Sequence, residues 1–199
     1  MLDPQKHKEM AIKHKEIFEK KLAAATKEKG LLIVNTGTGK GKSTAAFGMG
    51  LRILGHGMKL GVVQFIKGAL PTGEREFLKN QPNCDFHAIG DGYTWNTQDR
   101  EADAATAMKG WSEALRMIHD PSYDMVILDE LNIVLKHRYL DLDEVLRIFA
   151  GRRKDLHIVV TGRHAPPELI EMADLVSEVQ VVKHPYKEQG VKAQKGIEY

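Results

Sequence analysis

Three short stretches of this chain carry residue types that could do chemistry. The first is Gly37-Thr38-Gly39-Lys40-Gly41-Lys42-Ser43-Thr44, three alternating glycines closed by a lysine and two hydroxyls. Backbone N–H groups converge where side chains are absent, so such a turn cradles phosphate; Lys42 reaches the oxygens and Ser43 offers its hydroxyl to Mg2+. The second is Asp129-Glu130, two carboxylates closing the apolar run that starts at Met125. In phosphate-loop proteins an acid at the end of a strand meets the Mg2+ or its water shell. The third is Gly162-Arg163-His164, at the end of the apolar run His157 to Thr161. There Arg163 is placed either to meet a phosphate bidentately or to pair with a surface carboxylate.

The elements around these stretches must hold them. Leu31 to Val34 reads as a buried strand, and Thr44 to Leu54 carries apolar residues at helical spacing, so strand, glycine-rich turn and helix come in the required order. The turn is a variant of the phosphate-loop pattern, because Thr36 stands five residues before Gly41 and the first glycine falls one later, at Gly37. A plain glycine-rich turn with an incidental lysine is the alternative; the acids at 129 and 130 argue against it. Lys59 to Ile66 is a second strand, followed by a loop with Lys67, Gly73, Glu74 and Arg75. Cys84 to Ile89 is a third, and the loop from Gly90 to Asn96 after it holds Tyr93 and Trp95. Asn96 or Thr97 caps a long helix with Ala104, Met108, Trp111, Leu115 and Ile118 facing inward, ending near Pro121. Asp141 caps a helix with Leu142, Val145, Leu146 and Phe149 on one face, Pro166-Pro167 opens a short one, and Val176 to Val182 is the last strand before a polar tail. This alternation predicts an α/β fold of the phosphate-loop (RecA-like) kind: a mostly parallel sheet with helices on both faces and right-handed crossovers.

Composition sets the outer bounds. At 199 residues and 42% apolar, the chain supports one sizeable core, expected over residues 30–199. Residues 1–29 read as an added amphipathic helix with Met10, Ile17, Phe18 and Leu22 in a thin stripe; it is a lid over the phosphate site, or an arm packed on the core or on a second subunit. The 29 basic and 27 acidic residues nearly cancel, leaving little field to collect a polyanion, so nucleic acid is not an expected partner. One cysteine, Cys84, forms no intrachain disulfide, and no signal-type or membrane-spanning apolar run stands out; a soluble, cytoplasmic protein with no membrane partner is expected. The nine histidines show no zinc-site spacing.

Taken together, these stretches resemble the ATP:corrinoid adenosyltransferases of bacterial cobalamin synthesis and salvage. The resemblance runs nearly end to end and is carried by 37–44, Gly61 to Gly68, Thr72 to Arg75, Tyr93 to Gln98, Leu128 to Asn132, Thr161 to Arg163, Lys183 to Pro185 and Ala193 to Tyr199. The displaced first glycine is a feature of that family's loop. The resemblance implies transfer of the 5′-deoxyadenosyl group of ATP to a Co(I) corrinoid (cobalamin, cobinamide or cobyrinic acid diamide), with triphosphate released. It implies that residues 37–44 with Arg163 bind ATP, laid across the loop in the reverse of the usual direction. Ser43 and Glu130 would hold Mg2+, supported by Asp129, while Lys42 and Arg163 would neutralise the leaving group. It implies that Tyr93 and Trp95 exclude a lower cobalt ligand, so that a flavoprotein can reduce Co(II), and that the enzyme is a homodimer. Two departures bear on substrate preference: Leu70 stands where relatives often carry Trp, and Tyr93 where Phe is common. A RecA-like kinase or ATPase is the main competing reading, and a nucleotide-gated binding module without chemistry a third. A kinase or ATPase would release ADP, and a binder would turn over nothing.

Overall fold

The computed structural model describes residues 3–66, 72–89 and 99–199. Six parallel strands form one sheet in the order β3-β2-β4-β5-β1-β6: β1 Leu32–Thr36, β2 Leu60–Gln64, β3 Cys84–Ala88, β4 Met125–Asp129, β5 His157–Thr161 and β6 Leu175–Glu178. The helices are α1 Pro4–Ala24, α2 Lys42–Gly55, α3 Gly73–Lys79, α4 Arg100–His119, α5 Leu131–Lys136, α6 Leu142–Ala150, α7 Pro167–Met172 and α8 Pro185–Gln189. This is the expected α/β architecture. In the central strands successive side chains enter opposite layers, which is why they read as unbroken apolar runs. Leu32, Val34, Val126, Leu128, Ile158 and Val160 pack with Trp111 and Phe149 on one face. Ile33, Ile127 and Val159 pack with Phe47, Ile53 and Leu78 on the other.

Several expectations change. Gly73, Glu74 and Arg75, expected in a loop, open α3, because Thr72 caps it by accepting from the Arg75 amide at 3.4 Å, while Lys67 lies outside the described residues. The α4 cap is Asp99, whose carboxylate accepts from the Glu101 and Ala102 amides, and not Asn96 or Thr97, which lie outside the described residues. The buried face of α4 is also rotated: Ala107, Gly110, Ala114 and Met117 join Trp111 and Ile118, while Met108 is half exposed. Small residues let the helix sit close to the sheet. A Cβ at Gly110 would come within 2.9 Å of the Phe65 ring, a contact that spacing of large apolar residues does not reveal. Finally, β6 ends at Glu178 instead of reaching Val182, because its only neighbour among the described residues, β1, ends at Thr36. Beyond it the chain bonds to the loop: the Val179 amide donates to Thr36 O at 2.9 Å, and Val179 O accepts from the Gly39 amide at 2.7 Å.

The expected N-terminal helix is present. Asp3 caps it, accepting from the Gln5 amide, and Met10, Ile17, Phe18 and Leu22 are all exposed. Its apolar stripe therefore does not pack on the chain's own core. Among the described residues, no helix is long and apolar enough to cross a membrane.

Candidate active site

The strands of a parallel sheet point their carboxyl ends the same way, and ligands of open α/β sheets sit there. At that edge β1 runs into the glycine turn and α2 begins at Lys42, two residues earlier than its apolar spacing indicated. Gly41 is the N-cap, with φ 108 and no side-chain cap bond. A left-handed backbone of this kind is costly for any residue with a Cβ. The first intrahelical bond is Ala45 N to Gly41 O at 2.9 Å, so the Lys42, Ser43 and Thr44 amides stand before it at the positive end of a four-turn helix. Gly39 serves by close approach: a Cβ there would lie 2.8 Å from Gln180 O and from Val179 O. Its amide is donated to Val179, so it braces the loop from beneath.

Lys42 is buried, and its Nζ donates to Gly39 O at 2.6 Å. Burial lowers its pKa, the Glu130 carboxylate opposes this, and Arg163 adds to it. The other loop lysine, Lys40, is exposed and ion-paired with Glu198 near the carboxyl terminus. Gly37 and Ser43 are half-buried, and Thr38 and Thr44 are exposed.

The two carboxylates are held very differently. Asp129 is buried and fully partnered, accepting from Gln64 Nε2 at 2.9 Å and from the Thr161 hydroxyl at 2.7 Å. Glu130 follows at φ 63 as the N-cap of α5, its amide donating to Thr161 Oγ1 at 2.9 Å. Its Oε2 is buried without a hydrogen-bond partner among the described residues. Burial first, and the Asp129 charge second, push the Glu130 carboxyl up to about 7, while Lys42 and Arg163 pull it back. A buried, unpartnered carboxylate oxygen facing two cations is suited to a bound cation. No cluster of three His, Cys, Asp or Glu occurs among the described residues. Mg2+ does not require one, since water and phosphate oxygens fill most of its octahedron. The arrangement can therefore hold polyphosphate through helix amides and two cations, with one carboxylate left for a metal.

The family model described as ATP:corrinoid adenosyltransferase BtuR/CobO/CobP matches residues 28–199. This chain belongs to that family. Among its relatives, the corrinoid adenosyltransferase of Pseudomonas aeruginosa is 51% identical over 196 residues, 98% of this chain and 96% of the relative. That of Escherichia coli is 46% identical over 185 residues, 93% of each chain. The protein named corrinoid adenosyltransferase CobA in Salmonella typhimurium is 43% identical over 198 residues, the full length of both. The family match leaves α1 outside it.

In this adenosyltransferase-family chain, the fold brings Lys42, Asp129, Glu130 and Arg163 into one electrostatic neighbourhood. Arg163 is exposed, on the turn after β5. Tyr93, Trp95, Leu70 and Lys67 lie outside the described residues. Four residues without a sequence-assigned role belong to the site's frame: Asn35, whose Nδ2 donates to Lys42 O at 3.3 Å, and Gln64, Thr161 and Asn132. The signal for three of them was present. Asn35, Gln64 and Thr161 are polar residues at or near the ends of apolar strand runs, as Asp129 is, and register pairs Gln64 with Asp129 and Asn35 with Thr161.

Proposed function

We propose that this chain transfers the 5′-deoxyadenosyl group of ATP to the Co(I) of a corrinoid, with cob(I)yrinic acid a,c-diamide, cobinamide and cobalamin as candidate acceptors. The observation that carries this reading is the near-full-length similarity to proteins named corrinoid adenosyltransferase. In the step, the cobalt electron pair forms a bond to C5′ while the C5′–O bond breaks, and that pair leaves on inorganic triphosphate. No proton moves, so the site needs no general base. What it needs is charge compensation where negative charge grows. Lys42, the α2 amides and Arg163 are the groups proposed for it; burial lowers the proton affinity of Lys42 and also removes it from the water that would screen its charge.

Ser43 and Glu130 are the proposed holders of Mg2+, with Asp129 behind them; the unpartnered Glu130 Oε2 supports this. When bound, Mg2+ would add its own charge against the triphosphate oxygens. Tyr93 and Trp95 are the proposed apolar cover that keeps a lower ligand from the cobalt, easing its reduction by a flavoprotein. A cytoplasmic homodimer completes the reading. The exposed stripe of α1 supports a lid role. Deleting residues 1–25 should then raise KM for corrinoid more than KM for ATP; equal effects would reduce α1 to an arm. The decisive test is the phosphate product formed from ATP with chemically reduced cobalamin. Triphosphate with adenosylated corrinoid is expected, and ADP would overturn the reading.

A further inference from the structure

Asn132, the second residue of α5, is completely buried. Its Nδ2 donates to Gly162 O at 2.9 Å, and its Oδ1 is buried with no partner among the described residues. An amide at this depth with half of its capacity unused is an expensive way to fill space, since an apolar side chain would bring no polar atom of its own to satisfy. What the amide achieves is specific: it holds the carbonyl of the residue immediately before Arg163.

Gly162 needs holding. It sits at φ 124, a region essentially closed to other residues and one in which glycine has wide freedom. A Cβ added there would lie 3.0 Å from Asn132 Cβ and 3.1 Å from Glu130 Oε2, so the turn lies directly against both the amide and the orphan carboxylate. Two stitches join the ends of β4 and β5 at this point. Thr161 ties Asp129 to the Glu130 amide, and Asn132 ties α5 to Gly162. The first fixes the carboxylates. The second bears on the peptide plane from which Arg163 departs, and Arg163 is a long, exposed side chain that no hydrogen bond or ion pair holds among the described residues.

We propose that Asn132 is a positioning residue for Arg163: by fixing the Gly162 carbonyl it sets the direction in which the guanidinium leaves the sheet and spares the ordering cost at anion binding. This rests on reading Arg163 as a triphosphate contact. The test is a double-mutant cycle read by calorimetric titration of inorganic triphosphate into the full chain, with Asn132→Leu, Arg163→Ala and the pair. Asn132→Leu keeps the branched shape of the side chain while removing the donor, and thermal melts with Asn132→Ala as a second, smaller variant report any general loss of packing. Expected is a weakening of about five- to tenfold for Asn132→Leu, at least as much for Arg163→Ala, and less than about twofold further loss when both are combined. KM for ATP should rise while KM for corrinoid holds, a split that loosened packing would not produce. Multiplying effects in the double variant, or wild-type affinity in Asn132→Leu, would overturn the proposal with the Arg163 contact intact. Unchanged affinity in Arg163→Ala would instead remove the contact itself, and the positioning role with it.

Discussion

The two ends of the sheet are both crowded with polar side chains, yet they are built on opposite terms. At the amino end nearly every charge is spent on a partner. The Asp124 carboxylate accepts from the Lys59 amide at 2.7 Å, Asp174 accepts from Leu32 N at 2.9 Å, and His157 Nδ1 accepts from Leu31 N at 3.1 Å. The buried Tyr123 hydroxyl donates to Asp85 and accepts from Arg116 at 3.2 Å. Arg152 and Arg153 donate to Phe149 O and Pro121 O at 2.7 and 3.0 Å, leaving only their Nε atoms unpartnered. At the carboxyl end Glu130 and Asn132 each keep a buried oxygen without a partner, Glu130 stands at φ 63, and Lys42 is a buried cation folded onto its own loop. The lesson is a division of labour. One edge closes the fold by satisfying its charges, and the other carries strain and unsatisfied charge that a polyanion and a cation would relieve.

The largest test of that contrast is Lys42→Ala. Losing a cation at a developing anion should lower adenosyl transfer by about 10^2- to 10^3-fold, with the melting temperature held or raised. Near-normal turnover would sink the phosphate-loop assignment. Next comes Glu130→Gln, read by urea unfolding at pH 4 and pH 8. A carboxyl raised from 4.5 to about 7 in the folded state is neutral in both states at low pH, so its favourable contribution is complete below about pH 4.5. That contribution is lost as pH rises through about 7, an upper figure of about 3 kcal/mol. The glutamine variant, which cannot ionise, should therefore gain stability at pH 8 and none at pH 4, while its Mg2+ dependence weakens. Equal gains at both pH values would break the contrast.

At the opposite edge the signs reverse. Tyr123→Phe removes a hydroxyl that bonds both Asp85 and Arg116, and should cost about 1–2 kcal/mol of stability while leaving kcat unchanged. A drop in kcat without a drop in melting temperature would show that the two ends are not separate. The smallest effect is expected at Glu198→Gln. Its ion pair with Lys40 is solvent-exposed on the lysine side, and such pairs contribute under about 1 kcal/mol, so KM for ATP should fall by less than about threefold as Lys40 is released to the nucleotide. A rise would mean that the pair holds the loop in its binding shape.

Much of this protein was legible in one dimension. The glycine-rich turn between β1 and α2, the strand starts at Cys84, Met125 and His157 and the helix starts after Asp141 and Pro166 were readable because each depends on neighbours a few residues away, through side-chain alternation, capping chemistry or glycine geometry. The inward face of α4 departs from its spacing for a related reason: spacing weighs large apolar residues, whereas the close approach to Phe65 is made at Gly110, and small Ala107 and Ala114 share the buried face. What only the tertiary structure decided is which acid is free. Asp129 and Glu130 are adjacent and alike in sequence, but Gln64 and Thr161, from strands that flank β4, consume both oxygens of Asp129 and leave Glu130 Oε2 buried and unpartnered. The same holds for the Gly162 carbonyl taken by Asn132 and the Gly39 amide taken by Val179. The partners lie 30 to 140 positions apart along the chain. Only the packing of parallel strands side by side brings their ends together, so no local pattern carries that information.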